Sequence, residues 1–286
     1  MKVLSLFNGM SCGQIALERA GYEVEEYYSS EIKKHAIELT QHNYPNTIQL
    51  GDVRNVRAYD LPNIDLLIGG SPCQDFSIAN KERKGLNGDK SSLFFEFLRI
   101  WNEVKKVNPN AKFLLENVVM DDVSYNTLSH IMGVFPVDIN SNLVSAAHRQ
   151  RSYWTNIGSF YTDLYGMKYS TIPPPKDKKI YLKDVIESGY VNQLKHTCLN
   201  TRSGGWRSPE SLKLRNETTG MITLIYDNPQ CEYNGNERTA FQTEMEMLQT
   251  VPIGYTSKLD KSKAGDLLGD GWTVDVIAHI FKFLDK

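Results

Sequence analysis

Short apolar runs alternate with segments of helical spacing through the first half of the chain, and this rhythm constrains the fold more than any other feature. Residues 2–7, 24–29, 65–68 and 112–115 read as buried strands. Residues 14–20, 32–41 and 93–107 carry apolar positions three and four apart and read as helices. Strands that alternate with helices build a mostly parallel sheet covered on both faces, so the fold class is α/β. No internal repeat interrupts the pattern.

The rhythm breaks near residue 160. Pro173-Pro174-Pro175 and the basic residues 176–179 end it, and residues 190–236 are rich in Asn, Thr, Ser, Gly and Arg with little periodicity. A smaller, loop-rich region is expected there. Regular structure returns at 243–248, and residues 271–284 form an amphipathic helix whose apolar Val274, Ile277, Ile280, Phe281 and Leu284 suit packing on the first region. The net charge of −2 excludes a generally basic nucleic-acid binder, although residues 160–220 carry a local surplus of Lys and Arg. A solvated surface often shows such a surplus. The 4 cysteines (Cys12, Cys73, Cys198, Cys231) are widely spaced, which argues against a metal site or a disulfide scaffold and for a reducing compartment. No apolar run reaches the length of a membrane span, and the N-terminus lacks the features of a signal peptide. A cytoplasmic protein of a prokaryotic or viral host cell is expected, with no membrane partner.

Loops after parallel strands collect ligands, and four such loops carry polar residues. Phe7-Asn8-Gly9-Met10-Ser11-Cys12-Gly13 lies between the first strand and the first helix, where glycine lets the backbone approach a ligand. It is not GxGxxG, so pyrophosphate is not the obvious ligand. Glu31 ends the second strand, where an acid can hold ribose hydroxyls, and Gly51-Asp52-Val53 can bring a carboxylate near an adenine amino group. Ordinary α/β domains show such features as well. Cys73, in Gly69-Gly70-Ser71-Pro72-Cys73-Gln74, is either a buried thiol ending a strand or a nucleophile. A nucleophilic thiol needs help with its proton, and Glu116, His148, Arg149 and Arg151 are candidates in turn-like positions after later strands.

Taken in order, these stretches resemble the DNA (cytosine-5)-methyltransferase family. Phe7-x-Gly9 looks like its cofactor motif, Pro72-Cys73 its nucleophile motif, and Glu116-Asn117-Val118 its Glu-Asn-Val motif. Arg149-Gln150-Arg151 looks like its paired arginines, and Gly269-Asp270-Gly271-Trp272 its last cofactor motif. The patterns RKGL, LFFEF, LLENVV, VSAAHR and TEMExL at 83–86, 93–97, 114–119, 144–149 and 243–248 are similar to the animal de novo branch, without its chromatin-reading domains. The resemblance implies a Rossmann-like S-adenosylmethionine methyltransferase sheet over 1–159 plus 240–286 and a smaller target-recognition domain over 160–239, acting on double-stranded DNA. It implies that S-adenosyl-L-methionine is held by Phe7, Asn8, Gly9, Met10 and Cys12, by Glu31 and Ile32, and by Asp52 and Val53. Pro72, Leu93 and the Asp270-Gly271-Trp272 segment complete that set, with Phe7 and Trp272 suited to stack on adenine or face the cation.

The chemistry explains these residue types. Carbon 5 of cytosine is a poor nucleophile, and addition of the Cys73 thiolate to carbon 6 turns the ring into a nucleophilic enamine. Glu116, carrying a proton, would meet the developing charge at ring nitrogen 3. The resemblance gives Arg151 the ring carbonyl oxygen and makes Arg149 its supporting neighbour. Loss of the carbon 5 proton, to water or another base, then expels Cys73. A base inside a duplex must be flipped out to be reached, and the polar loop 75–90 is suited to close over it. Thr201-Arg202-Ser203 resembles the recognition loop of the de novo branch, which nominates Arg202 and Ser203 as DNA-recognition residues, with Arg202 on a guanine edge. Arg207, Lys213 and Arg215 suit phosphates. Two other functions fit less of the sequence: a catalytically inactive DNA-binding or regulatory paralogue, which would be expected to lose the nucleophile, and a tRNA cytosine methyltransferase.

Overall fold

The structure, a computed structural model, describes residues 1–71, 92–203 and 208–284. Pro72, Cys73, the loop 75–90 and Arg207 lie outside the described residues. The chain divides into two compact units, one formed by residues 1–139, 150–174 and 278–286, the other by 140–149 and 175–277. These limits do not coincide with the expected breaks at 160 and 240.

The first unit is built on the strands β1 (Lys2–Leu6), β2 (Glu26–Ser30), β3 (Ile48–Gln49), β4 (Leu66–Gly70) and β5 (Lys112–Val118). After β6 (Val134–Phe135) and β7 (Val137–Asn140), β8 (Gln150–Thr155) completes the main sheet, ordered β3-β2-β1-β4-β5-β8-β7 among the described residues. The pairs from β3 to β5 are parallel, and β8 runs antiparallel to β5. Helices α1 (Cys12–Ala20), α2 (Lys34–Asn43), α3 (Ser92–Val107) and α4 (Asp122–Met132) connect these strands. The expected α/β class with a parallel-dominated sheet is therefore present.

The apolar spacing of α3 explains its packing. Phe94, Phe97, Ile100, Trp101 and Val104 fall on one face and are buried with Leu4, Leu67, Phe113 and Leu115 of the strands. Full burial of each such side chain contributes about 1.5–3 kcal/mol. Trp154 of β8 is also fully buried, and its indole N–H donates to Ser129 Oγ at 3.0 Å, so this buried donor is paired.

Some boundaries depart from the sequence reading. The expected strand 112–115 continues to Val118, because Glu116 and Asn117, polar residues that end the apolar run, are themselves buried. Arg151 lies inside β8 rather than in a turn. Residues 160–174 belong to the first unit: β9 (Phe160–Thr162) and β10 (Lys168–Ser170) pair antiparallel, and β10 pairs with β6. The rings of Phe135, Tyr169 and Tyr161 stack at 4.6 and 4.9 Å across this small sheet.

The second unit contains α5 (Pro209–Thr219), α6 (Gln242–Leu248) and α7 (Lys261–Asp270), and most of it is loop. The last helix, α8 (Val274–Phe281), starts three residues later than expected. Before it, Thr273 Oγ1 donates to Gln249 Oε1 at 2.8 Å, which fixes an extended entry instead of a helical one. The Lys195 ammonium donates to the carbonyls of Asn142, Ser145 and Ile180, drawing three segments of the unit together.

Glu244 is the electrostatic anchor of this unit. Its side chain is almost fully buried and pairs with Arg238 at 2.7 Å. Burial pushes the carboxyl up, but hydrogen bonds from the Arg238 guanidinium and from the N–H groups of Phe241 and Glu187 outweigh it and hold the group below its usual range. A carboxylate depressed on folding adds stability that is complete above its unfolded value near 4.5 and is lost as pH falls through the lower folded value. Glu244→Gln is therefore expected to lower the melting temperature at pH 7 and to flatten its fall below pH 4.5. Melting curves from pH 7 to 3 check this, and parallel wild-type and variant profiles would contradict it.

Candidate active site

Parallel register brings the predicted loops to one edge of the sheet. Leu6 pairs with Ser30 and Gly69, and Gly70 pairs with Glu116. The chain therefore leaves β1, β2, β4 and β5 side by side, at Phe7, Glu31, Ser71 and the Glu116–Val118 segment. Ligands of open parallel sheets bind at this carboxyl edge.

The first loop is a tight, pre-built turn. Phe7, Gly9 and Ser11 have φ of 55°, 56° and 62°, in the left-handed region. For Phe7 and Ser11 this conformation costs about 1–3 kcal/mol each. A buried polar network offsets it. Tyr27 Oη donates to Asn8 Oδ1 at 3.0 Å, Asn8 Nδ2 donates to Ser11 Oγ at 2.7 Å, and Gln14 Nε2 donates to Ser11 Oγ and Thr47 Oγ1 at 3.2 and 2.9 Å. Tyr27 and Gln14 carry no motif signal in the sequence. Tyr27 reads as an ordinary strand residue, and only the fold reveals what its hydroxyl touches.

Glu31 is held by its surroundings. Oε2 accepts the Gly9 N–H at 2.7 Å, and Oε1 accepts those of Ile32 and Lys33 at 2.7 and 2.9 Å. Three accepted bonds leave a carboxylate acceptor site for a hydroxyl donor. Ile32 is 72 % exposed beside it, an apolar side chain offered to solvent. A Cβ built on Gly9 would meet no atom of the described residues within 4 Å, so among these residues the space over the turn is open. A fixed acceptor, an exposed apolar face and open space over a glycine turn fit an adenosine moiety.

Other residues of the predicted cofactor set have different surroundings. The side chains of Met10, Cys12 and Val53 are buried in the first unit, and Leu93 packs against its core. Their backbones, not their side chains, are what the loops present. Asp52 binds the Arg54 guanidinium and N–H, which hold its carboxyl down at about 2.

Glu116 and Arg151 are brought together by the antiparallel pairing of β5 and β8. Glu116 lies opposite Tyr153 and Val118 opposite Arg151, so the two side chains are diagonal neighbours on one face. Arg151 Nε pairs with Glu116 Oε1 at 3.0 Å, with the side chains only 15 % and 10 % exposed. Arg151 Nη1 also donates to the Gln150 carbonyl at 2.7 Å.

Arg149, two residues earlier, precedes β8 and belongs to the second unit. Its guanidinium donates to the carbonyls of Leu199 and Asp270 at 3.2 and 3.4 Å and approaches Cys198 Sγ at 3.5 Å. The expected support of Arg151 by Arg149 is not among these contacts. The same unit holds Asp270, Gly271 and Trp272, and the turn with exposed Arg202 and half-buried Ser203.

Asn117, between Glu116 and Val118, faces the other side of the strand. Its Nδ2 donates to Ser71 Oγ at 2.9 Å, with both residues buried. Ser71 is the residue before Pro72-Cys73, so Asn117 anchors the chain where it enters that motif. Asn117→Ala leaves the Ser71 hydroxyl without its donor in a buried place, which is expected to lower stability by about 1–3 kcal/mol. Thermal unfolding of Asn117→Ala, Ser71→Ala and the double variant checks it. Additive losses would show that the two side chains act independently.

Comparison with known proteins puts this site in context. Residues 1–136 match the family described as C-5 cytosine-specific DNA methylase. The chain is 38 % identical over 211 residues to a type II methyltransferase, M.NgoBV of Neisseria gonorrhoeae, covering 66 % of this chain and 47 % of that protein. It is 37 % identical over 217 residues to the type II methyltransferase M.NlaIV of Neisseria lactamica, covering 66 % and 47 %. An orphan methyltransferase of Bacillus phage rho11s is 39 % identical over 120 residues, covering 41 % of this chain and 23 % of that one. The chain thus spans less than half the length of these relatives. Among solved structures, the Entamoeba histolytica methyltransferase EhMeth has a TM-score of 0.73 at 13 % identity, with 99 % and 97 % of the two chains covered. The S. pombe Dnmt2 methyltransferase has a TM-score of 0.70 at 17 % identity, with 99 % and 98 % covered. These two share the fold.

Proposed function

We infer that this chain, which matches the C-5 cytosine-specific DNA methylase family over residues 1–136, transfers a methyl group from S-adenosylmethionine to carbon 5 of cytosine in double-stranded DNA. The observation that carries this reading is the buried Glu116–Arg151 pair, in register with Gly70 and so beside the chain leading into Pro72-Cys73.

The Cys73 sulfur adds to carbon 6 of a flipped cytosine, and the ring electrons move toward nitrogen 3 and the carbonyl oxygen. Glu116 holds a proton at nitrogen 3, and the Arg151 guanidinium donates to the carbonyl oxygen. The two groups are already neighbours, so little reorganisation is needed to present them to one edge of the ring. Bound S-adenosylmethionine supplies an electrophilic methyl group on a sulfonium. Glu31 would hold its ribose hydroxyls, with Ile32 and Phe7 against the adenine. When water or another base takes the carbon 5 proton, the carbon 6–sulfur bond breaks and the thiolate is regenerated.

Residues 160–239 are proposed to recognise the target, with Arg202 reading a base edge and Ser203 beside it. The named relatives are proteins of bacteria and a phage, which supports action in the cytoplasm of such cells. Among the described residues no helix is long and apolar enough to cross a membrane. Competition between duplex DNA and tRNA for label from methyl-tritiated S-adenosylmethionine tests the substrate. Suppression of DNA labelling by unlabelled duplex and not by tRNA is expected. The reverse would favour the tRNA reading.

A further inference from the structure

The turn that carries Arg202 and the segment that carries Trp272 are joined by a contact that leaves no room for a side chain. Gly269 sits in the last turn of α7, where glycine is a poorer helix former than alanine. A Cβ on it would lie 2.2 Å from the carbonyl carbon of Asn200, 2.4 Å from its oxygen and 2.4 Å from the nitrogen of Thr201. These are backbone atoms, so no flexible side chain can swing away. The helix end rests directly on the Asn200–Thr201 peptide.

Arg149 spans the same contact. Its guanidinium donates to the carbonyl of Leu199, next to Asn200, and to that of Asp270, next to Gly269. It is only 6 % exposed, its Nε has no hydrogen-bond partner, and no carboxylate pairs with it among the described residues. A guanidinium buried among neutral acceptors is expensive, and its planar fork is what reaches two carbonyls on separate segments at once.

Both sides of the clamp are internally stiff. In the turn, Ser203 N–H donates to the Asn200 carbonyl at 2.8 Å, Asn200 N–H to Ser203 Oγ at 2.9 Å, and Arg202 N–H to Asn200 Oδ1 at 3.0 Å. On the other side, Gly271 N–H donates to the Leu267 carbonyl at 2.7 Å, and Gln249 Nε2 donates to the Gly271 carbonyl at 3.2 Å. A displacement at Asn200 therefore moves Arg202 with it, and a displacement at Asp270 moves Trp272.

We propose that Arg149 and Gly269 clamp the 199–203 turn to the 269–272 segment, so that cofactor binding and target reading are coupled through this contact. Arg149 is thereby a positioning residue for both. The functional half of this inference rests on the roles given above for Arg202 and Trp272; the clamp itself does not.

Amide exchange of the full chain, read by mass spectrometry, tests it. Without ligand, Gly269→Ala and Arg149→Lys are each expected to speed exchange across 199–203 about tenfold while β1, β4 and β5 keep wild-type protection. With S-adenosylmethionine, wild type slows at 269–273 and at 199–203 together, and both variants lose the second effect. In DNA methylated by Gly269→Ala, preference for the target over single-mismatch sites falls about tenfold. Unchanged exchange at 199–203 in both variants overturns the clamp, whatever the chain's activity. Wild-type protection by S-adenosylmethionine at 269–273 alone, or unchanged target preference, overturns the coupling. A wild type that binds no S-adenosylmethionine overturns the proposed function and the coupling, and the ligand-free arm still decides the clamp.

Discussion

Glu116→Gln is expected to slow methyl transfer by about two to four orders of magnitude, the range of a positioned general acid. The amide is nearly the same size as the carboxyl and its oxygen still accepts from Arg151 Nε, so the side-chain pair can persist. In the proposed mechanism, what is lost is the proton that the carboxyl delivers to ring nitrogen 3. S-adenosylmethionine affinity, measured by calorimetry, is expected to stay at the wild-type value, because Gly9, Glu31 and Ile32 lie on other loops of the sheet edge. The loss therefore falls on the transfer rate at saturating cofactor. A rate within tenfold of wild type would remove Glu116 from the chemistry and leave it a structural partner of Arg151.

Cys73→Ser is expected to have the larger effect, a loss of about ten-thousandfold or more. The hydroxyl is a far weaker nucleophile than a thiol and gives up its proton less readily. Without addition at carbon 6, carbon 5 never becomes nucleophilic, and Glu116 and Arg151 have no developing charge to meet. DNA binding should survive, since it draws on phosphate contacts and base reading elsewhere. Gel-shift affinity for duplex DNA at fixed salt, measured beside the transfer rate, separates the two. Loss of both together would mean that the substitution disrupts the fold or the DNA surface.

The parallel sheet was legible because its strands are short apolar runs set between helices of regular spacing. Leu4, Leu67 and Leu115 announce β1, β4 and β5, and the spacing of Phe94, Phe97 and Ile100 announces α3. Periodicity failed where burial and polarity coincide. Glu116 and Asn117 end the apolar pattern of β5 but are buried in it, one paired with Arg151 and the other bonded to Ser71. The resemblance gives Arg151 the ring carbonyl oxygen and Arg149 its support, but periodicity does not separate their positions. Where β8 begins decides their difference: Arg151 is in the strand and faces Glu116, while Arg149 precedes it and bonds Leu199 and Asp270. Met10, Cys12 and Val53 lie in motif positions, yet their side chains are core residues, which proximity along the chain does not reveal. The Tyr27–Asn8 hydrogen bond crosses 19 residues and carries no local signal.

The most direct measurement is transfer of tritium from methyl-labelled S-adenosylmethionine to unmethylated duplex DNA of varied sequence, followed by nucleoside analysis of the product. The account predicts label in 5-methylcytosine with wild type and none above background with Cys73→Ser. Label in another nucleoside, undiminished labelling by Cys73→Ser, or no DNA labelling by folded wild-type protein that binds the cofactor would contradict it.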